Sequence, residues 1–255
     1  MLGRAFDNPL VPEEHAAAPL AGGIKQHGYQ CGMIWGSVLA AGAQSFKLHG
    51  PGPEAETRAV EAAVKLVETF HSDNGEINCY EITEIDKSSS ALKMITFFLL
   101  KGGTIGCFRM AGRYAPLALK EINKAISEDS IKIPASPVSC ASLLAEKMGA
   151  TERQKVMVSG FAGGIGLCGG ACGALGAAIW LMGMKLQQEA DIKNLWNDES
   201  FNSKFNDLVE RFLANSDYEF ECADIVGRKF DNFEDHASFI NEGGCSKIIE
   251  ALAAV

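Results

Sequence analysis

The chain has 255 residues, of which 47% are apolar, so it can bury a core as one large domain or two ordinary ones. Its net charge of −9 argues against nucleic acid or an anionic membrane as a partner. The N-terminal residues show no signal sequence, which makes the cytoplasm the expected compartment. Eight cysteines in that reducing compartment indicate metal or redox ligands rather than disulfides.

The first predicted elements are a polar arm and two helices. Residues 1–20 are polar and spaced by prolines, and Cys31 then opens an uncharged helix. The Gly-Pro repeat at residues 50–53 ends that helix. Residues 54–70 begin with acidic side chains and carry apolar ones at helical spacing. An amphipathic helix is therefore expected there.

The first half of the chain ends with two more helices and a linker. Residues 91–103 predict a short buried helix that ends at the glycine pair of residues 102–103. Cys107 then heads the following helix. The prolines of residues 133–137 exclude regular structure and mark a change in composition. They divide the chain into an N-terminal repeat, residues 1–133, and a C-terminal repeat, residues 134–255.

The second half contains the most specialised stretch of the sequence. Cys140 lies early in a helix, and residues 160–184 are uncharged and include nine glycines and two cysteines. So many glycines indicate turns with positive φ or close backbone approaches. From Cys172 onward the composition is that of a buried helix, whose N-terminus favours a thiolate. The glycines weaken transfer into a bilayer, so burial in a helical bundle is expected, with no membrane span.

The last predicted elements repeat the earlier ones. Residues 199–216 form a second amphipathic pattern like residues 54–70, and Cys222 and Cys245 each head a short helix. The sequence shows no hairpin signal, such as Asn-Gly between two runs of alternating apolar and polar residues. The sequence therefore predicts an all-α fold of two tandem, diverged helical repeats packed together.

An internal duplication relates the two halves. The residues Ala-Gly-Gly-Ile recur at 21–24 and 162–165, and Cys31 matches Cys172 at the same distance onward. Ordered matches of this kind indicate a repeat. The other matched pairs are Cys79 with Cys222, Cys107 with Cys245 and His27 with Cys168. Trp35 and Trp180 lie in the two matched helices and are expected core residues.

Five segments of the second half contain its characteristic residues: PVSCASLLAEKMG around Cys140, VSGFAGGIG, CGALGAA from Cys172, ECADIVG around Cys222 and GGCSKII around Cys245. In these segments the second half resembles the C-GCAxxG-C-C family of redox-active proteins. The chain departs from the family motif at Ala177, where the motif has glycine. A related domain accompanies the haems of split-Soret cytochromes c, where the resemblance implies an iron–sulfur cluster. This chain has no CxxCH, so covalent haem is not expected.

The leading hypothesis is an iron–sulfur redox protein that passes electrons to a partner protein. Cys140, Cys172, Cys222 and Cys245 offer four soft thiolates, and Cys31, Cys79 and Cys107 offer three more, with Cys168 as a spare. One or two [4Fe-4S] or [2Fe-2S] clusters are expected. A single larger cluster shared between the halves is favoured, because the first half has only three cysteines. A homodimer is left open.

Several alternatives compete with this hypothesis. In a thiol–disulfide oxidoreductase, Cys172 would attack and Cys168 would resolve. The others are a cofactor-free interaction module, a zinc site on the same cysteines, and a dinucleotide site at the GxGxxG of residues 164–169. His27 is read as a surface histidine rather than as a cluster ligand.

Overall fold

The computed structural model describes residues 2–100, 102–136, 138–189 and 199–254. Over these residues the fold consists of helices and turns, and two isolated antiparallel bridges replace any strand. The all-α prediction is confirmed. The helices are α1 (Leu2–Ala5), α2 (Val11–Ala16), α3 (Gly32–His49), α4 (Pro53–Asn74), α5 (Cys79–Thr83), α6 (Ala91–Ile95), α7 (Gly103–Ile126), α8 (Cys140–Lys147), α9 (Glu152–Ser159), α10 (Gly173–Glu189), α11 (Glu199–Leu213), α12 (Cys222–Val226), α13 (Phe233–Asn241) and α14 (Ser246–Ala253).

The core is built around two matched apolar helices. In the first half α3 packs on α4, and in the second half α10 packs on α8 and α11. Helix α3 also packs on α9 of the second half. Trp35 and Trp180 are fully buried, which confirms their expected place in the core. Gly42 lets α3 approach α9 closely, because a Cβ there would lie 2.5 Å from the Cα of Met157. One hydrophobic cluster includes side chains from both halves.

The duplication is present in the backbone as well as in the sequence. Positive φ angles occur at residues 22–26 and 28, and again at residues 163–167 and 169, which is the same pattern 141 residues later. The N–H of Gly28 donates to the carbonyl of Gly22 at 3.0 Å, and the N–H of Gly169 donates to Gly163 at 2.9 Å. Each half therefore contains the same left-handed turn just before its antiparallel bridge, which starts at Gln30 in the first half and at Ala171 in the second.

The glycine-rich stretch of residues 160–184 is a turn followed by a helix. Its residues are almost all buried, as predicted. Helix α9, rather than a strand, precedes the GxGxxG of residues 164–169. A dinucleotide site needs the strand–turn–helix order, so the structure removes the support for that alternative. Among the described residues, no single helix is both long and apolar enough to cross a membrane.

The segment after α5 differs from its prediction. Residues 91–95 are helical, as expected, and continue as a π-helical turn over Thr96–Leu100. However, this segment is exposed rather than buried: Leu92, Leu99 and Leu100 are 73%, 76% and 80% accessible. The prediction of burial was wrong, because apolar composition alone does not say which elements pack on a helix.

A buried histidine makes the stability of the fold depend on pH. His236 is 1% exposed, contacts the rings of Phe230 and Phe233, and donates to the carbonyl of Val138. Burial lowers its pKa to about 4, although Asp235 raises it. Between pH 6.5 and 4 the unfolded chain binds a proton that the folded chain does not, so unfolding becomes easier as the pH falls.

We expect His236→Phe to flatten the pH dependence of stability. The wild-type protein should lose up to about 3 kcal/mol more than the variant between pH 7 and pH 4, measured by urea unfolding. His15→Gln, which changes an exposed residue, is the control and should behave like the wild type. Parallel curves for wild type and His236→Phe would show that His236 does not contribute to the pH dependence.

Candidate functional site

A single antiparallel bridge joins two cysteine-bearing segments in the first half. The N–H of Cys31 donates to the carbonyl of Ile77 at 2.8 Å, and the N–H of Cys79 donates to Tyr29 at 2.7 Å. Cys31 directly precedes α3, and Cys79 is the first residue of α5. The bridge thus holds two helix N-termini side by side, although their cysteines are 48 residues apart in sequence.

The second half repeats this arrangement. The N–H of Cys172 donates to the carbonyl of Phe220 at 2.9 Å, and the N–H of Cys222 donates to Gly170 at 2.7 Å. Cys172 directly precedes α10, and Cys222 begins α12. Cys172 and Cys222 therefore make the same backbone hydrogen bonds as Cys31 and Cys79, the residues with which the sequence paired them.

Four thiols of the second half come together at the ends of four helices. Cys140 begins α8 and Cys245 directly precedes α14, and α8, α10 and α14 pack on one another. The pKa of Cys222 is raised first by burial, then by Cys172, Cys140 and Cys245, and last by Cys168. We call Cys140, Cys172, Cys222 and Cys245 the quartet.

Backbone N–H groups point at two sulfurs of the quartet. The N–H groups of Gly163 and Ala141 donate to Cys140, and those of Leu175 and Ala174 donate to Cys172. These bonds lower the thiol pKa, but burial outweighs them and raises the pKa of both cysteines. The predicted thiolate at Cys172 is therefore not favoured in the free protein, which weakens the hypothesis that Cys172 attacks a disulfide.

Three thiols of the first half form a second group. Burial, together with the neighbouring Cys79 and Cys107, raises the pKa of Cys31 to about 12. Cys107 lies in the second turn of α7 rather than at its first residue. We call these three residues the trio. The thiol interactions of trio and quartet join cysteines of the same half, an arrangement that favours two sites over one shared site.

Cys168 has a different environment from the quartet. Its Sγ donates a hydrogen bond to the carbonyl of Gly164 at 2.8 Å and accepts one from the Nε2 of Gln30 at 3.7 Å. Gln30 is fully buried and its Oε1 accepts the N–H of Ala171 at 3.0 Å. Gln30 thus ties the first half to the glycine turn of the second. The sequence analysis missed it, although a polar residue at the position matching Ala171 was a visible signal.

His27 takes the position of Cys168 in the first half but does not join the trio. Its Nε2 lies 3.0 Å from the Nζ of Lys87, and its ring packs 4.9 Å from the ring of Phe220. Burial, together with Lys87, lowers its pKa to about 4. The side chain is half-buried rather than on the open surface. These contacts give it a packing role at the boundary between the halves.

The quartet offers the donors that an iron–sulfur cluster takes. Four thiols from separate segments and N–H groups directed at sulfur match the ligands and hydrogen bonds of such clusters. Among the described residues, no three His, Cys, Asp or Glu side chains form a compact group for a single metal ion. A multi-iron centre spaces its ligands more widely than one ion does. The residues present therefore fit a cluster by their chemistry.

Comparison with known proteins identifies one family. Residues 4–118 and 138–255 each match the family model described as "Putative redox-active protein (C_GCAxxG_C_C)". The two matches fall on the two halves of the repeat and together include all eight cysteines. No curated protein and no solved structure matches the chain.

Proposed function

Because the chain belongs to the C_GCAxxG_C_C family of redox-active proteins, we propose that it is an iron–sulfur protein that transfers electrons to a partner protein. The observation that carries this proposal is the quartet. Cys140, Cys172, Cys222 and Cys245 come from four segments and meet where three packed helices begin. When bound, a cluster on these thiolates would supply one-electron transfer.

The residues around the quartet have defined parts in this proposal. The N–H groups of Gly163 and Leu175 donate to Cys140 and Cys172, and such bonds to sulfur raise the reduction potential of a centre. Cys140 and Cys172 are 6% exposed. Burial excludes water from their sulfurs and protects them from oxidation. The trio in the first half is the second candidate site, with three thiolates.

The test of this function is the composition of protein purified without oxygen. Iron and acid-labile sulfide should be present in similar amounts, with broad visible absorption that dithionite bleaches. Zinc in place of iron, with no sulfide, would contradict the proposal. Colourless protein with eight titratable thiols after anoxic reconstitution with iron and sulfide would also contradict it.

A further inference from the structure

The two halves differ where the left-handed turn faces the amphipathic helix of the other half. In the second half, α4 packs directly on the turn. A Cβ at Gly166 would lie 2.6 Å from the backbone carbon of Ala63, which leaves no room for a side chain. Val60 and Ala162 fill the same contact and are fully buried. The turn of the second half is therefore closed.

In the first half the residue matching Gly166 is Lys25, and the contact is open. The Nζ of Lys25 donates to the Oδ1 of Asn202 on α11 at 2.9 Å and lies 5.8 Å from the ring of Phe205. Between the turn and α11 is a cavity of about 640 Å³. This volume lies in the range of small-molecule sites, which commonly form between the parts of a protein.

The charges that line this cavity have one sign. Lys25 and Lys87 line it, and no Asp or Glu is among the lining residues that the structure describes. The chain as a whole has a net charge of −9, so a purely basic cavity is unusual within it. The described partners of the lysines are neutral, since Lys25 contacts an amide and Lys87 contacts His27, whose pKa is lowered.

The other walls are partly apolar and reach the trio. Phe97, Phe98 and Phe205 line the cavity together with Met94. Amide and hydroxyl side chains also line it, those of Gln26, Thr83, Asn202 and Asn206. Cys79 and Cys107 are lining residues, whereas Cys31 is not. A molecule in the cavity would thus lie beside aromatic rings, ammonium groups and two of the three trio residues.

The backbone at position 25 does not depend on the lysine side chain. Lys25 has φ 51° in a left-handed turn that also places Ile24 and Gln26 at positive φ. The second half makes the same turn with glycine at the matching position. The fold therefore does not require a lysine there.

From these observations we infer that the cavity between the first-half turn and α11 binds a small organic anion with an aromatic or apolar body. Lys25 and Lys87 would hold the anionic group, and the three phenylalanines would contact the body. The bound molecule would lie beside Cys79 and Cys107. This inference goes beyond the proposed electron-transfer function and does not require a cluster.

The test compares an anionic probe with its neutral analogue on the full chain. 8-Anilinonaphthalene-1-sulfonate and N-phenyl-1-naphthylamine share their ring system, and only the first carries a sulfonate. Both are titrated by fluorescence into wild-type, Lys25→Gly, Lys87→Gln and Lys124→Gln protein. Glycine suits the left-handed conformation at position 25, so this variant should fold. Lys124 is exposed on α7 and outside the cavity, which makes it the control.

We expect the wild type to bind the sulfonate saturably and more tightly than the neutral probe. Lys25→Gly and Lys87→Gln should each weaken sulfonate binding about fivefold, with little change for the neutral probe. Lys124→Gln should match the wild type. Equal sulfonate affinity in all four proteins would overturn the inference, and so would equal affinity of the wild type for the two probes.

Iron and sulfide counted on the same preparations separate this inference from the proposed function. If the protein binds the sulfonate selectively but never takes up iron, the anion-binding inference is supported and the iron–sulfur function is contradicted. If the protein contains iron and sulfide but its sulfonate binding does not depend on Lys25 and Lys87, the iron–sulfur function is supported and the anion-binding inference is contradicted.

Discussion

Cys222→Ser should remove the second-half centre while Cys79→Ser leaves it in place. Serine keeps the size of cysteine but offers iron a hard oxygen in place of a soft thiolate. Cys222 interacts with the other three thiols of the quartet, so its loss breaks the site at its centre. We expect Cys222→Ser protein to lose the sulfide and visible absorption of that centre. Cys79→Ser should retain both.

The matched control for this experiment is Cys168→Ser. The thiol of Cys168 donates to the carbonyl of Gly164, and a serine hydroxyl can make the same bond. This variant should therefore keep its full iron and sulfide content. Complete loss of iron from both Cys222→Ser and Cys79→Ser would instead mean that all the cysteines share one cofactor, as the sequence alone had favoured.

Gly173→Ala should be among the most destabilising single substitutions in the chain. A Cβ at this position would lie 1.7 Å from the backbone carbonyl oxygen of Phe161, an atom that a rotamer change cannot move. Gly173 is also the first residue of α10, next to Cys172. The turn and α10 would have to separate, so we expect a loss of more than about 4 kcal/mol in the free energy of unfolding.

Gly36→Ala is the control for this prediction. Gly36 lies within α3, and no atom comes within 4 Å of a Cβ built there. Alanine is the better helix former, so this variant should gain up to about 1 kcal/mol. Denaturant unfolding of the two variants measures the difference. If Gly173→Ala were as stable as the wild type, the close approach of Phe161 to α10 would be wrong.

Much of the fold could be predicted from local patterns. Apolar side chains at helical spacing predicted α4 and α11, because a helix presents one face to the core. The glycines of residues 160–184 predicted turns with positive φ, which glycine adopts without steric cost and which occur at residues 163–167 and 169. Repeated residues at a constant shift predicted the duplication. Each of these signals depends on a few neighbouring residues, so the sequence contains it directly.

The burial of each element depended on contacts that are distant in sequence. Residues 91–100 have the composition of a buried helix, yet Leu99 and Leu100 are exposed because α7, which contacts residues 96–100, leaves these two side chains uncovered. Cys172 lies at a helix N-terminus, as predicted, but its pKa is raised because the surrounding core excludes water. The effect of the helix dipole on the pKa can be predicted from local sequence, whereas the effect of desolvation depends on the packed structure.

The grouping of the cysteines was likewise decided by tertiary structure. The sequence alone determined that eight cysteines occur, that six of them repeat in register, and that most lie near helix N-termini. Only the packing of α8, α10 and α14 decided that four thiols meet in the second half. In the first half, the bridge that joins the segments of Cys31 and Cys79 brings those two cysteines together. Tertiary structure also decided that α4 closes the second-half turn at Gly166, whereas a cavity lies between the first-half turn at Lys25 and α11. The physical reason is that distances between helices depend on side-chain volumes at contacts far apart in the chain.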